Sequence, residues 1–204
     1  MEEDQNNNNK VIFLGDSSVG KTSLIKISTG QSFNPNCSST LTASYVSKQF
    51  KYNNNTYIFN LWDTIGQEKY RALTKIFFKD AIIVILVYDI TKKTSFDSLN
   101  YWYEQIENEL NDNYILAIVG NKKDLYLEEI ISEQEGKDFA NSKNAKFKLS
   151  SAKDDPLSFS DFLEELFVDY INKSENKIKN KTRGYSITKK DYVKNKNKNN
   201  NKCC

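Results

Sequence analysis

Short apolar runs alternate along this chain with stretches whose apolar residues recur every three or four positions. Val11-Ile-Phe-Leu14 is the first run, leading into Gly15 and then a helix that opens near Gly20. Ala43–Tyr52 and Thr56–Trp62 flank Asn53-Asn-Asn55 and predict an antiparallel hairpin. Ala81–Asp89 and Tyr114–Gly120 are almost continuously apolar, as strands buried on both faces are. Lys146-Phe-Lys-Leu149 predicts a last strand. Helical spacing covers Thr94–Leu110, Ser132–Asn141 and Leu157–Ile171, the second opening on Ser132-x-x-Glu135, a capping box. Strands alternating with helices predict an α/β fold, a mostly parallel sheet covered by helices. The periodicity divides the chain into a polar disordered start at 1–9, one domain at 10–172 and a flexible tail at 173–204.

Composition sharpens that division. The 204 residues are enough for one ordinary domain with tails. Lys and Arg number 29 against 27 Asp and Glu, but from Lys173 onward there are eleven basic residues and two acidic ones, so an acidic body precedes a basic tail. The chain has no histidine, which excludes a His general base, a Ser-His-Asp triad and any His-ligated metal. Its three cysteines, Cys37, Cys203 and Cys204, make neither a zinc cluster nor a disulfide framework and favour a reducing compartment. The acidic, polar start is unlike a secretory signal, and the longest apolar run, Ala81–Tyr88, is too short to span a bilayer. A soluble intracellular protein is expected.

Gly15-Asp16-Ser17-Ser18-Val19-Gly20-Lys21-Thr22 matches the phosphate-loop pattern G-x-x-x-x-G-K-[ST] and stands where it must, after a strand and before a helix. Gly15 and Gly20 let the backbone curl so that its N–H groups face phosphate oxygens. Lys21 neutralises the β and γ phosphates, and the Thr22 hydroxyl can ligate Mg²⁺. Asn121-Lys122-Lys123-Asp124 follows the strand ending at Gly120. Guanine presents two N–H donors on one edge, which a carboxylate such as Asp124 can accept together; adenine would leave that carboxylate unpaired.

On these residues the sequence resembles the Ras superfamily of small GTPases and, within it, the Rab family. Trp62-Asp-Thr-Ile-Gly-Gln-Glu68 resembles W-D-T-A-G-Q-E, the second switch, and Ser150-Ser-Ala-Lys153 resembles the base-binding S-A-K loop. Lys69-Tyr-Arg-Ala-Leu-Thr74 and Leu86-Val-Tyr-Asp-Ile-Thr91 also resemble Rab segments. The resemblance implies a P-loop G domain: a six-stranded, mostly parallel sheet with one antiparallel hairpin strand and five helices on its two faces. It implies GTP or GDP held by Gly15 through Ser23, Asn121, Lys122, Asp124, Ser151, Ala152 and Lys153. Lys122 and Lys153 would lie along the guanine faces, Phe33 would stack on the base, and the Ala152 N–H would meet the guanine carbonyl. Mg²⁺ would be held by Thr22 and Thr40, and by Asp63 through water. Thr40 and the Gly66 N–H would sense the γ-phosphate, and Gln67 would orient the attacking water.

Departures accompany the likeness. Ile65 stands where the family has alanine, beside Gly66 and Gln67, and raises the alternative of a GTP-locked scaffold that does not hydrolyse. Thr42 stands where glycine is usual, and Phe77-Phe-Lys-Asp-Ala81 replaces Y-Y-R-G-A. Tyr45, Trp62 and Phe77 match three aromatics with which Rab proteins engage effectors, although aromatics on a hairpin are as often simply packed.

Cys203-Cys204 resembles the doubly geranylgeranylated end of Rab proteins and is not a C-a-a-X box. The resemblance thus implies a lipid-anchored switch, monomeric, on the cytoplasmic face of an intracellular or plasma membrane with a cytosolic pool, active in vesicle traffic. Its partners would be effectors, a guanine-nucleotide exchange factor, a GTPase-activating protein, a GDP-dissociation inhibitor, and the Rab escort and geranylgeranyl transferase machinery. The basic tail also raises nucleic-acid binding, but only Tyr185 and Tyr192 offer it stacking surfaces, and no nucleic acid is expected.

Overall fold

The computed structural model describes residues 9–35, 40, 42–64, 75–111 and 113–198, with backbone alone at 75, 76 and 178–198. Six strands form one sheet: β1 (Asn9–Leu14), β2 (Ser44–Tyr52), β3 (Asn55–Asp63), β4 (Ala81–Asp89), β5 (Ile115–Asn121) and β6 (Lys146–Leu149). Their order is β2-β3-β1-β4-β5-β6. Only the β2–β3 pair is antiparallel; every other neighbouring pair is parallel. The helices are α1 (Lys21–Ser28), α2 (Lys75–Phe78), α3 (Lys93–Glu109), α4 (Glu133–Ser142) and α5 (Pro156–Lys198), with a 3₁₀ turn at Lys123–Glu128.

The apolar runs become the central strands because they are covered on both sides. Ile12 and Leu14 of β1 and Val84, Leu86 and Tyr88 of β4 share a core with Leu99, Trp102 and Ile106 of α3. Phe13, between them in sequence, points to the other face and meets Phe159 of α5, ring centroids 6.2 Å apart. The buried residues of α3, Ser95, Leu99, Trp102 and Ile106, recur at the helical spacing that makes one face. The capping box forms as expected: the Ser132 hydroxyl accepts from the Glu135 N–H at 3.3 Å, and the Ser132 N–H donates to the Glu135 carboxylate at 2.9 Å.

Two details differ from the sequence expectation. The hairpin turns on Asn53-Asn54 alone, both at positive φ (47° and 62°), while Asn55 already pairs with Tyr52. This is the two-residue geometry that matches strand twist, and asparagine tolerates the left-handed region it needs. The last helix runs past Ile171 to Lys198. Spacing of apolar residues reports burial, and it fades where the stripe ends. After Pro156 the segment has no further proline to break the backbone and a single glycine, Gly184.

The chain divides into two compact units, Met1–Leu166 and Phe167–Cys204. The first holds the sheet and the start of α5; the second holds the rest of that helix. β1 is the strand at which the order reverses, so loops leaving the carboxyl ends of β1, β4 and β5 open onto one crevice.

Candidate functional site

The loop between β1 and α1 owes its shape to two glycines. Gly15 lies at φ 138°, and a Cβ there would run into the Val87 carbonyl. Gly20 lies at φ 100°, and a Cβ there would strike the Asn121 amide. No other residue type fits either place without a shift. The loop curls around Lys21, whose buried ammonium donates to the carbonyls of Gly15 and Asp16, both at 2.8 Å. Burial pushes this lysine down to about 8, while Asp63 and Asp16 pull it back up. Its charge rests on neutral carbonyls, so an anionic ligand in the crevice is its natural partner.

Thr22, Thr40 and Asp63 converge from three separate parts of the chain. The Thr22 hydroxyl donates to Asp63 Oδ2 at 2.7 Å, the Thr40 hydroxyl donates to the same oxygen at 3.1 Å, and the two hydroxyls are 2.9 Å apart. Asp63 Oδ1 is buried and has no hydrogen-bond partner among the described residues. An all-oxygen set with an orphaned carboxylate oxygen fits a hard cation such as Mg²⁺.

The other end of the crevice is braced by side chains. Asn121, at the end of β5, donates from Nδ2 to the Val19 carbonyl at 2.9 Å and accepts at Oδ1 from the Ala152 N–H at 3.3 Å. One amide thereby ties the phosphate loop to the Ser150–Lys153 segment. The Ala152 N–H, expected to face a guanine carbonyl, is turned to Asn121 here. Asp124 accepts at Oδ1 from the Ser151 hydroxyl at 2.6 Å, and that hydroxyl accepts in turn from the backbone N–H groups of Lys153 and Asp154 at 3.2 and 3.0 Å. Lys153 Nζ is 3.9 Å from Asp124 Oδ2. The Ser151 hydroxyl and the Lys153 ammonium thereby orient the carboxylate.

Between the two ends lies a cleft of about 420 Å³. Ser17, Ser18, Gly20, Lys21, Thr22 and Ser23 line one side; Phe33, Thr40, Asn121, Lys122, Asp124, Ala152 and Lys153 complete it. Gly15, Val19, Asp63 and Ser151 hydrogen-bond to the lining residues Lys21, Asn121, Thr22 and Asp124 in turn. Asp16 acts through its backbone, because its carboxylate turns to α3 and accepts from Ser98 at 2.7 Å and from the Trp102 indole at 3.3 Å. Asn34, Pro35, Thr64 and Leu125 also line the cleft; Thr64 belongs to the segment that resembles the second switch, while Asn34, Pro35 and Leu125 belong to no motif and are signalled only by adjacency to Phe33 and Asp124. Asp89 lies in the Rab-like segment Leu86–Thr91 but in no nucleotide motif; its own signal is a lone carboxylate ending the apolar run of β4. Ile65, Gly66, Gln67, Cys37, Cys203 and Cys204 lie outside the described residues.

Tyr45, Trp62 and Phe77 come together as a row. Tyr45 and Trp62 face each other across the hairpin with centroids 4.9 Å apart, and Trp62 and Phe77 are 6.0 Å apart. Tyr45 is 54% exposed, and Lys10 places its ammonium 4.7 Å from the Trp62 ring.

A glycine-built phosphate loop at the reversal point of a mostly parallel sheet, facing a preoriented carboxylate across one cleft, defines the class: a small P-loop GTPase. Comparison with known proteins narrows it. The Ras family profile matches residues 10–176. The chain is 40% identical over 144 residues to Ras-related protein Rab-22A of Homo sapiens, covering 71% of this chain and 74% of that one. It is 39% identical over 160 residues to Ras-related protein Rab-21 of Geodia cydonium (78% and 68% covered). It is 34% identical over 168 residues to GTP-binding protein ypt3 of Schizosaccharomyces pombe (81% and 78% covered). The chain belongs to the Rab family of the Ras superfamily, and it is a small GTPase that binds GTP and GDP and hydrolyses GTP. The alternative of a non-hydrolysing scaffold finds no support among these relatives.

Proposed function

We propose that the cleft operates a nucleotide-dependent switch for vesicle traffic, with Thr40 as its sensor. The carrying observation is that Thr40, from the segment before β2, reaches the same Asp63 oxygen as Thr22 of α1. Thr22 and Thr40, with Asp63 through water, would hold Mg²⁺, which when bound supplies positive charge against phosphate oxygens. Lys21 gives its ammonium to the β and γ phosphates in place of the loop carbonyls. Asp124 reads the two guanine N–H donors, and Lys122, Lys153 and Phe33 cover the ring. Gly66 and Thr40 follow the γ-phosphate, Gln67 orients the attacking water, and loss of the γ-phosphate releases both segments.

The row Tyr45, Trp62 and Phe77 flanks both segments in sequence and is the proposed effector face. The regulators proposed are the exchange factor, activating protein, dissociation inhibitor and prenylation machinery of the family. Cys203 and Cys204 are the proposed lipid acceptors, anchoring the chain to a cytoplasmic membrane face. In support, no helix among the described residues is long and apolar enough to cross a membrane, and two lipid chains suffice for stable anchoring.

The switch is tested through Trp62 in a Trp102→Phe background. Its emission should differ between the GDP form and the form loaded with a non-hydrolysable GTP analogue. Thr40→Ala should erase that difference while GDP binding persists. Identical emission in the two forms of the parent would overturn the reading. Anchoring is tested separately: cell-expressed protein with both Cys203→Ser and Cys204→Ser should move to the soluble fraction.

A further inference from the structure

Asp89 is fully buried at the carboxyl end of β4. Its Oδ1 accepts from the Thr91 N–H at 3.0 Å and from the Thr91 hydroxyl at 2.7 Å. Its Oδ2 forms an ion pair with Lys122 Nζ at 2.7 Å. Lys122 is a residue of the cleft wall, and its backbone is in the left-handed region at φ 69°, which a residue with a side chain holds only when its surroundings fix it. The parallel register places Asp89 directly beside Asn121, so the carboxylate lies one residue from the lysine it pairs with.

A lysine stem has four rotatable bonds and covers a flat ligand well only when its far end is held. In water the ammonium would draw Lys122 away from the cleft. Held on a buried carboxylate, the ammonium is fixed behind the wall and the methylene stem is left as the surface a base meets. Burial works against the Asp89 charge, yet the bonds from Lys122 and Thr91 win and hold its carboxyl below the ordinary range.

We propose that Asp89 is a positioning residue of the base site, acting through Lys122 to fix the lysine stem against the guanine ring. This rests on the reading of Lys122 as a wall of the base site, and the two can fail separately.

The test is the dissociation rate of fluorescent GDP from the full chain, in a double-mutant cycle of Asp89→Asn and Lys122→Met. Asparagine is isosteric and can still accept from Thr91, so it removes chiefly the charge that holds the lysine. Lys122→Met should raise the rate about tenfold or more, and Asp89→Asn about fivefold, a loss in the range of one net hydrogen bond. In the Lys122→Met background, Asp89→Asn should add less than about a twofold change. Equal effects in both backgrounds would make Asp89 merely structural and overturn the proposal. An unchanged rate in Asp89→Asn beside a raised one in Lys122→Met would overturn it alone. An unchanged rate in Lys122→Met would overturn the base-site reading and the proposal with it. Should Asp89→Asn not fold, the Lys122 ammonium protons of the unaltered GDP-bound chain decide. Slow exchange with water supports the pairing, and exchange as fast as that of an exposed lysine overturns it.

Discussion

The carboxylate of Asp16, inside the phosphate loop, accepts the hydroxyl proton of Ser98 from the outer helix α3 at 2.7 Å. A loop that must hold a polyanion thus takes part of its rigidity from a helix that does not touch the cleft. Ser98→Ala should lower stability by about 1 kcal/mol. For a chain of this size that is a fall in melting temperature of about 2–4 °C. Asp16→Ala, which also removes the acceptor of the Trp102 indole, should cost about 2 kcal/mol. Thermal unfolding of the GDP-bound protein measures both.

Asp124 stands ready with one oxygen on Ser151. Asp124→Asn puts a donor where guanine also has one, and loss of that charge-assisted pair should cost about 2–4 kcal/mol, or roughly 30- to 1000-fold in GTP affinity. Xanthosine triphosphate, with a carbonyl at that edge, should gain relative to GTP. Competition binding with GTP, xanthosine triphosphate and ATP reads both effects.

Asp89 gives a pH dependence of known sign. Its folded carboxyl lies below the ordinary 3.8, so the unfolded chain binds its proton first. The stability it contributes is complete above that value and is lost as the pH falls below it. Denaturant unfolding of the parent should therefore weaken more steeply below pH 3.8 than that of Asp89→Asn.

Tyr88 is wholly buried, and its hydroxyl has no hydrogen-bond partner among the described residues. Removing an unpaired buried hydroxyl removes its desolvation cost. Tyr88→Phe should be neutral or stabilising by up to about 2 kcal/mol, with GDP affinity unchanged, as unfolding and binding titrations would show.

The sheet was legible in the sequence because Val11–Leu14, Ala81–Asp89 and Tyr114–Gly120 are apolar enough that only burial on both faces explains them. The phosphate loop and Asp124 were legible because their chemistry is local, within a few residues. What could not be read depended on partners far along the chain. Nothing near Asp16 says that its carboxylate belongs to Ser98, 82 positions away. Three successive asparagines gave the hairpin a turn without saying which two would make it; pairing of Asn55 with Tyr52 decided that. Asp89 needed the β4–β5 register before its lysine came into view.

The hairpin register has a reach of its own. Ser44 pairs with Asp63 and Tyr45 with Trp62, so a single ladder sets both how near Thr40 comes to Asp63 and which face Tyr45 occupies. Slipping it by one residue would shift the segment by about 3.4 Å and turn Tyr45 to the opposite side. The gauge for that ladder is the Asn53-Asn54 turn, at the far end of two nine-residue strands, roughly 25–30 Å from the cleft. An insertion that shifts the ladder from this outlying corner should therefore disturb the proposed cation site and the proposed effector face together, as a key cut one notch off fails in both wards of a lock.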